Sequence, residues 1–144
     1  MKVLVGCEES GVVRRAFRSR GHDAWSFDIQ DSRDITDFHM KCDIFEAIWR
    51  YKWDLIILHP PCTALAVSGN RWYAGTNERK RALYWTTVLW ASAKRACDRV
   101  CLENPVGLKL FNIKPQWIQP WQFGHPETKK TGLWLHGLPP LRPT

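Results

Sequence analysis

At 144 residues the chain has the length of one ordinary domain, and 44% apolar with 24% charged residues is the balance of a protein that buries a single core. A net charge of +7 and a pI near 9.4 favour a polyanionic partner such as nucleic acid or nucleotide phosphate, with a merely solubilising surface as the plain alternative. Five cysteines, odd in number and without paired CxxC knuckles, argue against a zinc site or a disulfide framework and for a reducing compartment.

The start Met1-Lys2-Val3-Leu4-Val5 is too short for a signal-peptide core, and Glu8-Glu9 break it. No run approaches the length of a membrane-spanning helix. The expectation is one soluble, cytoplasmic domain over 1–144, with no membrane partner and no metal; nothing sets its oligomeric state. Nine tryptophans are many for this length and suit either a core or stacking on bases.

Lys2 to Gly6 reads as a first strand. Ser10 is placed to cap a helix from Gly11 to Arg20, with Val12, Val13, Ala16 and Phe17 on one face and Gly21 as a left-handed stop. His22 to Phe27 reads as a second strand closed by Asp28, followed by a polar loop. Asp43 and Glu46 resemble a capping pair for a helix through Tyr51. The apolar run Trp53 to Leu58 has the character of a buried parallel strand, and His59-Pro60-Pro61-Cys62 forces a stiff, extended exit from it.

Ala64 to Asn77 reads as a long loop, and Asn77 as the cap of a helix to about Cys97 with Trp85, Leu89, Ser92 and Ala96 at helical spacing. Arg99 to Leu102 is a further strand ending at Glu103-Asn104-Pro105. Leu133-Trp134-Leu135 is a late one, within a proline- and aromatic-rich remainder. Strands alternating with helices imply a mostly parallel sheet with right-handed crossovers.

Such sheets place their sites outside the carboxyl ends of the strands, where Asp28, Cys62 and Glu103-Asn104 fall. The first turn, with Gly6 and Gly11 around Glu8-Glu9, is not a G-x-G-x-x-G fingerprint. Its acids would repel a pyrophosphate and tolerate a cationic sulfonium. Asp28 suits a carboxylate gripping ribose hydroxyls, and equally a turn-forming aspartate at a strand end. Cys62 is either a presented nucleophile or a small buried apolar residue.

Taken in order, these segments resemble the cytosine-5 methyltransferase family over nearly the whole chain, closest to short methyltransferase-like proteins of phages and prophages. Pro60-Pro61-Cys62 resembles the family's nucleophile motif, Glu103-Asn104-Pro105 its glutamate-asparagine-valine, and Cys42-Asp43-Ile44 its adenine-contacting glycine-aspartate-isoleucine. Phe123 to Thr131, including Pro126-Glu127-Thr128-Lys129-Lys130, resembles its tyrosine-glycine-x-proline-glutamine-x-arginine-x-arginine segment, with lysines in place of the bidentate arginines. Val5-Gly6-Cys7-Glu8-Glu9-Ser10-Gly11 stands where the family has phenylalanine-x-glycine-x-glycine.

The resemblance implies an α/β Rossmann-like methyltransferase core with helices on both faces, minimal and without a target-recognition domain. It also implies S-adenosylmethionine as cofactor, held by Gly6, Glu9, Gly11, Asp28, Asp43 and Pro60. The substrate would be cytosine in DNA, single strands included, or a free cytosine nucleotide, approached by Arg71, Trp72 and Lys130.

The chemistry asks for these residue types in its own right. Carbon 5 of cytosine is a poor nucleophile until a thiolate adds at carbon 6. Cys62 is the candidate, with His59, Arg71 and a basic surface as neighbours that favour a thiolate. Glu103 would neutralise charge developing at N3, Asn104 would orient that acid or bind the exocyclic amine, and Lys129 would stabilise the O2 side. Cys7, Cys42, Cys97 and Cys101 read as packing residues. An amino-methyltransferase is disfavoured by the cysteine after the prolines. A catalytically inactive nucleic-acid-binding remnant of a methyltransferase is the rival from another class.

Overall fold

The computed structural model describes residues 1–107 and 110–144. In chain order the elements are β1 (Lys2–Gly6), α1 (Val12–Arg18), β2 (Asp23–Asp28), β3 (His39–Lys41), α2 (Ile44–Arg50), β4 (Leu55–Leu58), α3 (Asn70–Tyr73), α4 (Asn77–Ala96), β5 (Val100–Pro105), β6 (Gln116–Ile118) and β7 (Thr131–His136). The strands form one seven-stranded sheet in the order β3-β2-β1-β4-β5-β7-β6. Strands β1 to β5 are parallel, and β7 runs antiparallel to both of its neighbours. The architecture is α/β and mostly parallel, as the alternation of elements implies. Its strand order reverses between β1 and β4, which is where an open sheet leaves a crevice.

Helices cover both faces because the central strands are apolar on both sides. Val3, Val5, Ala24, Leu55 and Ile57 pack beneath Val13 and Phe17 of α1. Leu4, Phe27, Ile56, Leu58, Val100 and Leu102 face the other way, onto Ile44, Ala47 and Ile48 of α2 and Leu89, Trp90 and Ala93 of α4. Burying each such side chain stabilises by about 1.5–3 kcal/mol, so this two-sided core is the main cohesive force. A Cβ on Gly6 would collide with Ile44 and Leu58, so this glycine is required for α2 to lie against β1.

Several boundaries differ from the sequence-based expectation. Helix α1 begins at Val12, after Gly11 in the left-handed region at φ 67°, and the cap is not Ser10. The Glu8 carboxylate accepts from the Val13 and Arg14 N–H groups at 2.6 and 3.2 Å, serving as an internal cap from outside the helix. Helix α4 is capped by Thr76 Oγ1, which accepts from Arg79 N–H, and not by Asn77. Asp43 accepts from Phe45 N–H as expected of an N-cap.

The polar stretch after β2 contains the edge strand β3, short enough to leave no period in the sequence. The proposed long loop from Ala64 to Asn77 holds a 3-10 turn at Val67–Gly69 and the single turn α3. Strand β6 lies in the stretch read as irregular. Among the described residues no helix is long and apolar enough to cross a membrane.

Candidate active site

The carboxyl ends of β1, β2, β3 and β4 open onto a cleft of about 290 Å³ walled by Cys7, Glu9, Asp28, Asp43, His59, Pro61 and Trp85, with Ile29 and Ile44. Each carboxylate spends one oxygen on local structure. Asp28 Oδ1 accepts from Gln30 N–H at 2.9 Å, and Asp43 Oδ1 accepts from Phe45 N–H at 2.7 Å. Among the described residues no hydrogen bond reaches the second oxygen of either. Asp28 is therefore both the turn-former and a lining carboxylate.

Burial, together with the Asp28 and Asp43 carboxylates, pushes the Cys7 thiol up to about 12, so Cys7 is a neutral wall. Burial and then Glu46 raise Cys42 as well. Glu9 lines the cleft and pairs with Arg33. Of the other expected cofactor residues, Gly6 packs against α2, Gly11 supplies the left-handed turn before α1, and the cleft is lined by Pro61 rather than Pro60.

A second cavity of about 620 Å³ begins one residue further on. Cys62 and Thr63 form one wall, Trp72 and Tyr73 another, and Pro105, Val106, Lys129 and Lys130 close it. The Cys62 carbonyl accepts from both the Leu65 and Ala66 N–H groups at 2.9 and 2.8 Å, a tight turn that holds the cysteine in place. That turn is fastened to the exit of β5, because Val67 N–H donates to Val106 O at 2.9 Å and Ala66 bridges Gly107. Added Cβ atoms at Gly69 and Gly107 would strike the carbonyls of Thr63 and Leu65, so both glycines permit this close approach. Trp72 is 71% exposed and Arg71 lies 5.3 Å over its ring, outside the cavity wall.

Glu103 does not share that cavity. Neighbouring residues of a strand point to opposite faces. Glu103 falls on the side of Cys101 and Ile57, where it lines an apolar groove of about 410 Å³ with His59. His59 Nδ1 lies 3.4 Å from Glu103 Oε2. Asn104 falls on the opposite side, is 1% exposed, and neither its amide nitrogen nor its oxygen has a hydrogen-bond partner among the described residues. It therefore makes no hydrogen bond to Glu103, and of its two expected roles the orienting of that acid is not seen. The Cys101 thiol, beside Glu103, is pushed up to about 12, chiefly by burial and secondarily by that carboxylate.

Two supporting residues, Arg14 and Arg79, escaped the sequence reading, and a third, Glu8, was read there as an acid of the first turn but not as a helix cap. Glu8 caps α1 and so places a negative charge where a Rossmann pyrophosphate would lie. Arg14, 1% exposed, donates to Ser26 Oγ at 2.7 Å and to both Asp34 oxygens at 2.6 Å, tying the segment after β2 to α1. Arg79 of α4 donates to Ala64 O and Asn70 Oδ1, each at 2.7 Å, and anchors the loop that carries Cys62. For Arg14 and Arg79 a charged residue inside a helical apolar pattern was the only signal, and it does not say which partner satisfies the charge.

No protein-family model matches the chain and no curated protein does. Solved structures of WbdD, described as a bifunctional kinase-methyltransferase, are similar in fold. One aligns with TM-score 0.56 at 13% identity, covering 94% of this chain and 35% of that one. Another, in complex with the kinase inhibitor LY294002, aligns with TM-score 0.52 at 14% identity over 91% of this chain and 35% of that one. The chain spans about a third of the length of the structures it matches. At this identity the likeness shows the fold alone, an α/β architecture shared with about a third of the length of those structures.

Proposed function

We propose that the chain is an S-adenosylmethionine-dependent methyltransferase acting on carbon 5 of cytosine, in DNA before free nucleotide. The observation that carries this reading is the adjacency of Pro61 and Cys62, which puts the cleft of Asp28 and Asp43 next to the cavity of Cys62 and Lys129.

The cleft fits the cofactor on its own terms. Two carboxylates each keep an oxygen for ribose or amine donors, Trp85, Ile29 and Ile44 offer apolar area to a purine, and Glu9 suits a cation. The bound cofactor supplies an electrophilic methyl group. Cys62 as thiolate would add to carbon 6, moving the ring's electron pair to carbon 5 and making that carbon nucleophilic toward the methyl group. Loss of the carbon 5 proton to solvent water and departure of the Cys62 sulfur as thiolate would restore the aromatic ring. The ammonium groups of Lys129 and Lys130 favour negative charge in that cavity and stand for the O2 side of the base. Glu103, the acid expected for N3, lines the neighbouring groove and would serve the base only by leaving its contact with His59 and turning toward the Cys62 cavity.

The separation of Glu103 from the Cys62 cavity favours a second reading, a nucleic-acid-binding remnant in which the acid no longer reaches a base. One assay divides the two. Cofactor labelled in its methyl group is offered with duplex DNA, single-stranded DNA, RNA and deoxycytidylate in parallel. Label on cytosine carbon 5 supports the enzyme. Binding of DNA with no transfer to any of the four supports the remnant.

A further inference from the structure

A concave feature that the proposed reaction does not use lies at the β6–β7 edge. It is a cavity of about 620 Å³ walled by Phe111, Asn112, Lys114, Pro115, Trp117 and Trp134. Its aromatic walls are braced. Phe111 stacks on Trp90 at 5.3 Å and meets Trp134 edge-on at 6.0 Å. Trp134 Nε1 donates to Ile113 O at 3.1 Å, which holds the 110–115 segment against the sheet. Gly132, opposite Trp117 in the β6–β7 register, leaves room for both indoles: a Cβ there would sit 3.1 Å from each. Trp117 is 42% exposed, so part of its indole is presented to solvent.

Charge and position point to the ligand. Lys130, in the wall of the Cys62 cavity, places its ammonium 4.9 Å from the Trp117 ring centroid, so the two cavities share a boundary of one cation and one aromatic. The described residues lining both contain Lys114, Lys129 and Lys130 and no carboxylate. A track of exposed aromatics interleaved with cations is what a single-stranded polynucleotide needs: π-faces for bases that have left a helix and positive charge for its phosphates.

We propose that the cavity of Trp117 and Lys114 is a flanking subsite that stacks a base neighbouring the target, so that the substrate is a single-stranded polynucleotide and not a free nucleotide. This deepens the reading above and rests on the Cys62 cavity being the place of the target base.

The test compares fluorescence-anisotropy affinities for deoxycytidylate and for cytosine-centred DNA and RNA oligomers of three and six nucleotides, using the whole chain. Stacking of one base is worth about 5- to 100-fold in affinity. The hexamer should therefore bind at least about fivefold tighter than the mononucleotide per equal phosphate charge, and Trp117→Ala should remove that gain while leaving deoxycytidylate affinity unchanged. Trp117→Phe should restore most of it. An oligomer with abasic flanks should bind the wild type as weakly as the intact oligomer binds Trp117→Ala, and should be indifferent to the substitution.

Equal losses for mononucleotide and hexamer would overturn the subsite, as would equal affinity for abasic and intact flanks. Because nothing here depends on methyl transfer, length-dependent stacking without transfer would support the subsite while removing the catalytic reading. Transfer to deoxycytidylate as efficient as to the hexamer would do the reverse.

Discussion

The two sides of the sheet are held together by different means. From β3 to β4 the strands are parallel and the core is apolar on both faces. A polar cluster there, Arg14 with Asp34, Ser26 and Ser32, is closed by hydrogen bonds at 2.6–2.7 Å. The β6–β7 edge is antiparallel, short in regular structure, and assembled from rings: Trp90, Phe111, Trp134 and Trp117 in succession. The first side makes a preformed cleft with fixed carboxylates, suited to one small molecule. The second presents aromatic faces and lysines, suited to a chain of repeating units. Cys62 stands at the junction of the two.

The largest effect should come from the junction. If Cys62 is the nucleophile, DNA containing 5-fluorocytosine should be trapped covalently in the presence of the cofactor, because fluorine blocks the final elimination. Cys62→Ser should abolish trapping and lower methyl transfer by roughly three orders of magnitude or more. Denaturing gels and mass spectrometry read the adduct. An adduct that persists in the serine variant would move the nucleophile to another cysteine, and Cys7 and Cys101, each pushed up to about 12, are poor candidates for it.

Next in size is the cleft. Hydrogen bonds from a ligand to a carboxylate are worth about 1.5–3 kcal/mol each, which corresponds to roughly 10- to 100-fold in affinity. Asp28→Ala should weaken S-adenosylmethionine binding by that factor in titration calorimetry and leave oligonucleotide binding unchanged. Trp117→Ala should give the opposite pattern. A loss of both ligands in either variant would erase the division of labour between the two sides.

The parallel half was the more legible in the sequence for a physical reason. Apolar runs such as Leu55 to Leu58 are dictated by two-sided burial, and the left-handed Gly21 marks a turn that few other residues tolerate, whereas Gly11 was read into the helix and stands before it. Strands β3 and β6, three residues each, are too short to carry a period. Their pairing is set by neighbours distant in the chain.

The candidate site divides the same way. That Asp28 and Cys62 stand near strand ends followed from the order of the elements, whereas Lys129 came only from the resemblance. The face on which Glu103 emerges depended on the pleat of β5, and a one-residue difference sends a side chain to the other face. Helix caps were misplaced by one residue at Ser10 and Asn77, since Glu8 and Thr76 compete for the same N–H groups and win by geometry.

A smaller effect tests how the polar lock of the first side responds to acid. The Arg14 guanidinium, then the Ser32 hydroxyl and Arg15, hold the Asp34 carboxyl well below the usual carboxylate range. A depressed folded-state pKa means that the unfolded chain takes up the proton first. The stabilisation is therefore complete above the unfolded value of about 3.9 and is lost as pH falls below it. Urea midpoints of the wild type should decline on acidification below about pH 4, and Asp34→Asn should start lower and decline less. Identical slopes in the two would mean that Asp34 exchanges with solvent and does not lock the segment.

The smallest effect belongs to the phosphate track. Lys130 lies exposed between the two cavities, and its ammonium spends part of its field on the Trp117 ring. One cation that neutralises one phosphate of a single strand contributes about 0.7 to the slope of log affinity against log salt. Lys130→Gln should therefore lower that slope by about 0.7 and weaken binding only two- to four-fold at moderate salt, by the same factor for every oligonucleotide sequence, because phosphates carry no base information. Anisotropy titrations at several salt concentrations with three unrelated sequences measure it. A loss confined to one sequence would make Lys130 a reader of base edges and give the β6–β7 side a specificity that its aromatic surface alone does not supply. An unchanged slope would take Lys130 off the nucleic-acid path and leave the two cavities as separate sites.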